Sequence, residues 1–246
     1  MPALDSVIAA ITTLEDDPRT NAGTGSRLRV DGSLQMDAGL MDSSRRIGAI
    51  ASISAVKNPI LVARAVMDTP HTMLAGEWAT RFAHRQGFPK FNPATPEAKG
   101  KLQESLKQIR SGTVPPWARR WKDFTWDTVG AVARDSRGRF AVGCSTGGHA
   151  FMMPGRVGDS PLVGNGFYAG PAGAVTATGI GEEICRHVLS KFVYDRIDGG
   201  ERAQAACDEG LKIFPKSVSV GIIAVDARGV GAACNRAMAW WASPTA

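Results

Sequence analysis

The sequence predicts an α+β fold in which helices cover β-sheets, and three observations carry that prediction. Two runs repeat one pattern: residues 128–138 (TVGAVARDSRG) and 219–229 (SVGIIAVDARG) share six of eleven residues. Each is an apolar, β-leaning run ending in a D-x-R-G turn with a second apolar run behind it, which is a hairpin signature. Between the repeats lie two stretches at helical spacing, 181–198 and roughly 201–212, the first with acids at its start and Gly199-Gly200 after its end. The 28 glycines sit among apolar and small residues without a short period, as tight turns and close backbone approach require. Strands, two helices and strands again describe layered α and β.

The earlier elements follow in order. Residues 3–14 (ALDSVIAAITTL) have apolar positions at helical spacing, and Glu15 to Pro18 end the pattern. A glycine-rich turn, NAGTGS at 21–26, leads to strand-like segments at 28–41 and 47–56. Asn58-Pro59 closes the second, and 60–86 reads as one or two helices. From Phe88 to about Lys122 the pattern fails; five prolines, many basic residues and one short helical piece at 97–110 mark a linker or lid. A new start at Thr128 is sharp.

Composition limits the function. At 246 residues, with 43% apolar and 21% charged side chains, the chain carries enough apolar material for a sizeable core, which excludes wholesale disorder. Its longest weakly polar stretch, 47–56, is half of the roughly 20 residues a spanning helix needs, so no membrane role is expected. The start MPALDSVIAA lacks a basic signal region, and Cys144, Cys185, Cys207 and Cys234 form no CxxC pair. Both fit a cytoplasmic protein in a reducing compartment, without a disulfide scaffold or zinc site. Residues 81–122 hold ten Lys or Arg and two Glu. Without aromatic interleaving, that charge reads as a solvated connector, and no nucleic-acid partner is expected.

His71, His84, His149 and His187 are scattered and read as turn, surface or core residues; no GxSxG elbow, phosphate loop or dinucleotide fingerprint accompanies them. More informative is an ordered set of small polar and glycine motifs: Asp127-Thr128-Val-Gly, Ser145-Thr146-Gly-Gly148, GRVGDSP at 155–161, and Thr178-Gly179-Ile-Gly181-Glu182. Singly each has a plain structural explanation: Thr178 as a helix cap, Arg156 and Asp159 as a bridge across a turn, Thr146 as a turn hydroxyl.

As a set they resemble the plant-type L-asparaginase and isoaspartyl peptidase family, N-terminal-nucleophile hydrolases related to glycosylasparaginase. The first half adds LEDDP at 14–18, NAGTGS at 21–26, MDAGLMD at 36–42 and NPILVAR at 58–64; Asn235 and Met238 add to it near the end. The resemblance implies a four-layer αββα sandwich of the N-terminal-nucleophile hydrolase type, one domain over 1–246. It implies cleavage between Asp127 and Thr128 into an α subunit, 1–127, with a basic linker at about 88–127, and a β subunit, 128–246. Thr128 would then be nucleophile in both self-cleavage and hydrolysis, with its freed α-amine as base; α-amines titrate near 8. Thr146 would tune the nucleophile, Thr178 and Gly179 would form the oxyanion hole, and Asn21 would support the nucleophile region. Arg156 would grip the substrate α-carboxylate and Asp159 the α-ammonium, with Gly181 beside them. The substrate implied is L-asparagine or a β-aspartyl dipeptide, releasing aspartate. No catalytic cofactor is implied; a structural sodium ion on backbone carbonyls of Leu14, Glu15, Thr20 and Ala22 is, as is a homodimer of αβ units.

Departures are local. Family members carry a strand and an HGGAG-type glycine loop ahead of the first helix. Met152 or Met153 stands where lysine is common, and Gly164-Asn165-Gly166 replaces Gly-Ala-Gly. Two other readings stand beside hydrolysis of asparagine and β-aspartyl peptides: an uncleaved, weakly active member serving as an amino-acid-binding protein, and a glycosylasparaginase-like activity.

Overall fold

The computed structural model describes residues 1–113 and 128–243. Its first half opens with helix α1 (Ala3–Asp16), which buries Val7 and Ile11 on one face. Strands β1 (Met36–Asp42) and β2 (Ile47–Ile53) form a hairpin, followed by α2 (Pro59–Met67), β3 (Met73–Ala75), α3 (Gly76–Arg85) and α4 (Pro96–Arg110). Beyond Thr128 come β4 (Val129–Arg134), β5 (Phe140–Thr146), β6 (Phe167–Gly170) and β7 (Gly173–Gly179). Helices α5 (Gly181–His187), α6 (Leu189–Asp198) and α7 (Ala203–Lys212) lead to the hairpin β8 (Val220–Asp226) and β9 (Gly229–Cys234).

The strands make two sheets, ordered β3-β2-β1-β5-β4 and β6-β7-β8-β9. In the first sheet β1 is central and buried at every residue. It accepts β5 from the second half of the chain, antiparallel, with Gly39 opposite Cys144. The two sides of the sequence thus share one sheet. Three apolar clusters follow. Val7 and Ile11 of α1 and Ile60 and Val66 of α2 pack with Leu40 and Ile50 of the first sheet. Val193 and Ile197 of α6 and Ala206 of α7 pack with Val175 and Ile222 of the second. The third joins sheet to sheet through Met41, Val142, Cys144, Phe167, Ala169 and Val225. Burying a side chain the size of Leu40 stabilises the fold by about 1.5–3 kcal/mol. Gly39 is required at this junction, because a Cβ there would lie 2.1 Å from Phe167 Cε1. The fold is a mixed α/β structure of two sheets and helices.

Several expectations hold. The repeats at 128–138 and 219–229 are the hairpins β4–β5 and β8–β9, one in each sheet. Residues 97–110 fall in α4, which Thr95 caps by accepting from Ala98 N at 3.1 Å. Others are corrected. The segment 28–35 is no strand: an Asp31-Gly32 turn intervenes, with Ser33 N and Oγ donating to Asp31 Oδ1. The span 60–86 does hold two helices, α2 and α3, and only the short strand β3 between them was not expected. The single helix expected over 181–198 breaks at Val188, which adopts a left-handed conformation at φ 47°. That conformation is rare for a β-branched residue. It is supported because the next turn's amides are satisfied elsewhere: Lys191 N donates to Gly164 O at 2.8 Å and Ser190 N to Asn165 O at 3.3 Å, which Ser190 Oγ also reaches at 2.6 Å. The rest of the basic linker, from 114, and Asp127 lie outside the described residues. Among those described, no helix is long and apolar enough to cross a membrane.

Candidate active site

Hairpin geometry brings the two hydroxyls together. Thr128 precedes β4 and Thr146 ends its partner β5, where Val129 pairs with Ser145. Thr128 Oγ1 donates to Thr146 Oγ1 at 3.3 Å, and Thr146 Oγ1 also accepts Gly148 N at 3.0 Å. Asn21 braces the turn from behind. Its carbonyl accepts Gly147 N at 2.7 Å, its Nδ2 donates to Gly148 O, and its Oδ1 accepts Arg27 N at 3.0 Å. Asn21 therefore ties the 21–27 loop to the turn after Thr146.

The second sheet supplies the facing wall. Gly179, the last residue of β7, lines one cleft with Thr128, Thr146, His149, Arg156 and Asp159. Gly130 lets the sheets approach here, since a Cβ on it would sit 2.8 Å from Thr176 Cγ2. Gly179 has φ 137°, and a Cβ there would be 2.2 Å from Ser219 O, so only glycine fits. Thr178 precedes it, half-buried, opposite Gly221 of β8.

The charged residues converge on the same cleft. Arg156 and Glu182 form a two-bond fork, Nε to Oε1 and Nη2 to Oε2, both 2.9 Å. Burial works against both charges, yet the pairing outweighs it: Arg156 is held above and Glu182 below its ordinary value. Asp159 is fully enclosed and burial pushes its carboxyl up to about 7, against the pull of Arg156. Its Oδ2 has no hydrogen-bond partner among the described residues. Gly181 occupies the gap between the two charged groups, where an added Cβ would lie 2.7 Å from Asp159 Oδ1 and 2.9 Å from Arg156 Nη2.

Two residues here escaped the sequence reading. Glu182 looked like an ordinary acid in a first helical turn; its place directly after Gly181 was the available signal. His149 looked like a turn or core residue, and nothing in its spacing placed it in the cleft. Its Nδ1 lies 2.6 Å from Ala150 O, and burial first, then the Arg156 charge, lower it to about 3, so the ring is neutral. The cleft itself is narrow, about 10 Å³. A larger cavity of about 250 Å³ lies at the other end of the first sheet, lined by Asp42, Arg46, Asp135 and Arg139, and holds none of the expected site residues. Among the described residues, no group of three His, Cys, Asp or Glu side chains is placed to hold a metal ion.

The asparaginase family model matches residues 1–246. The plant-type L-asparaginase of Pyrococcus abyssi is 42% identical over 245 residues, covering 95% of this chain and 80% of that protein. An N(4)-(beta-N-acetylglucosaminyl)-L-asparaginase of Elizabethkingia miricola is 39% identical over 94% of this chain and 71% of its own length. The isoaspartyl peptidase/L-asparaginase of Bos taurus is 38% identical, over 92% of this chain and 74% of its own. With a family match along its whole length and relatives near 40% identity, this chain belongs to the asparaginase family.

Proposed function

We propose that the chain is a self-cleaving threonine amidohydrolase that releases aspartate from L-asparagine, β-aspartyl dipeptides or both. The observation that carries this is the pairing of Thr128 Oγ1 with Thr146 Oγ1 at 3.3 Å in a cleft that also holds Arg156 and Asp159. A nucleophile, a cation and an anion suit an amide whose α-carboxylate and α-ammonium are both free. In self-cleavage Thr128 Oγ attacks the Asp127 carbonyl, the C–N bond breaks to free the Thr128 amine as the acyl group moves to Oγ, and water hydrolyses that ester to the Asp127 carboxylate and the Thr128 hydroxyl. In turnover this amine takes the hydroxyl proton while Oγ attacks the substrate side-chain carbonyl. The oxyanion forms against Thr178 and Gly179, where each donor is worth roughly 10²–10³ in rate. The proton passes to the leaving ammonia or amine, and water hydrolyses the acyl-enzyme to aspartate. The names of the relatives from Pyrococcus abyssi and Bos taurus support this substrate class.

The four-layer αββα order belongs to this reading and is supported by the three apolar clusters. So do a division at Asp127 and Thr128 within one domain, and a homodimer of αβ units. A structural sodium ion fits the loop only in part. The Leu14 carbonyl already accepts Asp17 N at 3.2 Å and Thr20 Oγ1 at 2.6 Å, which fills both lone pairs. The Glu15 carbonyl accepts Thr24 N at 2.8 Å and keeps one lone pair, which with the carbonyls of Thr20 and Ala22 would hold the ion. The narrow cleft and the Arg156–Glu182 fork, which any ligand must part, support the weakly active reading.

A denaturing gel with an asparagine hydrolysis assay decides between them. The wild type should yield fragments 1–127 and 128–246 and release aspartate, and Thr128→Ala should do neither. An intact wild-type chain that binds aspartate without turnover would establish the binding protein instead.

A further inference from the structure

We propose that Arg29, in the turn before β1, is a positioning residue that seats the Arg156 loop against the turn carrying Thr146. The inference rests on reading Arg156 as the grip for the substrate α-carboxylate. Arg29 is fully buried, the largest side chain so enclosed among the described residues. A guanidinium is seldom buried without structural use of its five donors. Here Nη2 donates to the Arg156 carbonyl at 3.2 Å and to the Gln35 carbonyl at 3.1 Å, and Nε to Gln35 Oε1 at 3.3 Å. That same Gln35 oxygen accepts Gly155 N at 2.7 Å. Arg29 and Gln35 therefore hold the backbone on both sides of the bond leading into Arg156.

The other edge of Arg29 meets the nucleophile side. Its Nη1 points at Met152 Sδ, which also accepts His149 N at 3.0 Å. A Cβ on Gly148 would lie 2.8 Å from that Nη1, so the second glycine after Thr146 leaves the space the guanidinium fills. Asp37, fully buried at the start of β1 with its carboxyl raised by that burial, is the second support: it accepts Ser52 N at 2.8 Å and the amide of Gly158, two residues beyond Arg156. The Arg156 loop is thus pinned by the buried Arg29 guanidinium at the carbonyl of Arg156 itself and by a buried carboxyl two residues on, neither of which lines the cleft. A shift of about 1 Å in such a support can cost 10²-fold at the reacting centre.

The test compares L-asparagine with its α-carboxamide for the wild type, Arg29→Met and Arg29→Lys. Arg29→Met should lower kcat/KM for L-asparagine by about 10²-fold relative to the carboxamide, mainly through KM, with both fragments still produced. Arg29→Lys, which keeps the charge and one donor direction, should recover part of that ratio. An equal fall on both compounds, or no fall on either, would overturn the proposal. Should Arg29→Met fail to fold, Gln35→Ala serves: it removes the Gly155 acceptor and should shift the ratio the same way, and an unchanged ratio overturns the proposal. Should the wild type hydrolyse nothing, the hydrolase reading fails by itself, and calorimetry with L-aspartate decides about Arg29. Binding by wild type that Arg29→Met loses supports the positioning role; equal binding, or none by wild type, overturns it.

Discussion

Arg156 and Glu182 are joined through two parallel hydrogen bonds of 2.9 Å, so the guanidinium assigned to the substrate carboxylate already holds a carboxylate of its own. A bound substrate must displace that partner. Glu182 therefore stabilises the empty site and competes with the ligand, and the two effects separate on mutation. Glu182→Gln keeps one neutral acceptor and removes the charge, the difference between a charge-assisted and an ordinary hydrogen bond. KM for L-asparagine should fall about 5-fold while the melting temperature also falls, because the buried Arg156 loses its counter-charge. A rise in KM would show that Glu182 assists binding rather than opposing it.

Gly181 marks the space between Arg156 and Asp159. Its backbone needs no special conformation, so alanine is excluded only by what the methyl meets, at 2.7 Å from Asp159 Oδ1 and 2.9 Å from Arg156 Nη2. Gly181→Ala should raise KM for substrates with free α-groups by about 10-fold or more, since both clamp groups must move aside. Self-cleavage needs no such substrate, so the gel should still show both fragments. Loss of the fragments would mean that Gly181 supports the nucleophile instead of the clamp.

These two cases show what the sequence made legible. The hairpin repeats and the helices α1, α4 and α7 could be read from local periodicity, and the convergence of Thr128, Thr146, Gly179, Arg156 and Asp159 was legible only through the family resemblance their ordered motifs carry. The break at Val188 could not, since its cost is met by carbonyls of residues 164 and 165, more than twenty positions away in sequence. Arg29 and His149 were equally silent. Their environments arise from the meeting of β1 with β5, a contact that joins the two halves of the chain and leaves no local pattern.

The hairpin repeat extends to side-chain function. Asp135 Oδ1 accepts Arg137 N and Arg139 N, and its Oδ2 accepts Ala3 N at the start of α1, at 3.3 Å. Asp226 Oδ1 accepts Arg228 N and Gly229 N, and its Oδ2 accepts Ala203 N at the start of α7, at 2.8 Å. Each turn aspartate thus closes its own hairpin and caps the helix packed on it, which neither helix's own N-cap residue does. Asp226→Ala should lower the melting temperature by about 2–4 °C, and Asp135→Ala should act in the same direction. Burial would raise Asp135, but the donors from Arg139, Ala3 and Arg137 hold it at about 2. Its stabilisation is therefore complete above the unfolded value of 3.8 and is lost as pH falls toward about 2, a loss that Asp135→Asn should remove from an acid-unfolding curve.

Asp159 gives the opposite sign and the sharpest functional test. Burial raises its carboxyl from 3.8 to about 7, so the folded protein favours the neutral form. The stability this provides is full below 3.8 and is lost as pH rises through about 7; Glu15, raised from 4.5 to about 8 by burial, adds to the same decline. An α-ammonium group, by contrast, binds only the ionised Asp159. KM for L-asparagine should consequently fall about tenfold per unit as pH rises toward 7 and level off above it. The Thr128 amine, which titrates near 8, should appear in kcat instead. Asp159→Asn should flatten both the KM profile and part of the stability decline while leaving self-cleavage intact. Measured KM values that stay level across about pH 5–8, with kcat carrying the whole pH dependence, would remove Asp159 from the ammonium site and leave the clamp resting on Arg156 alone.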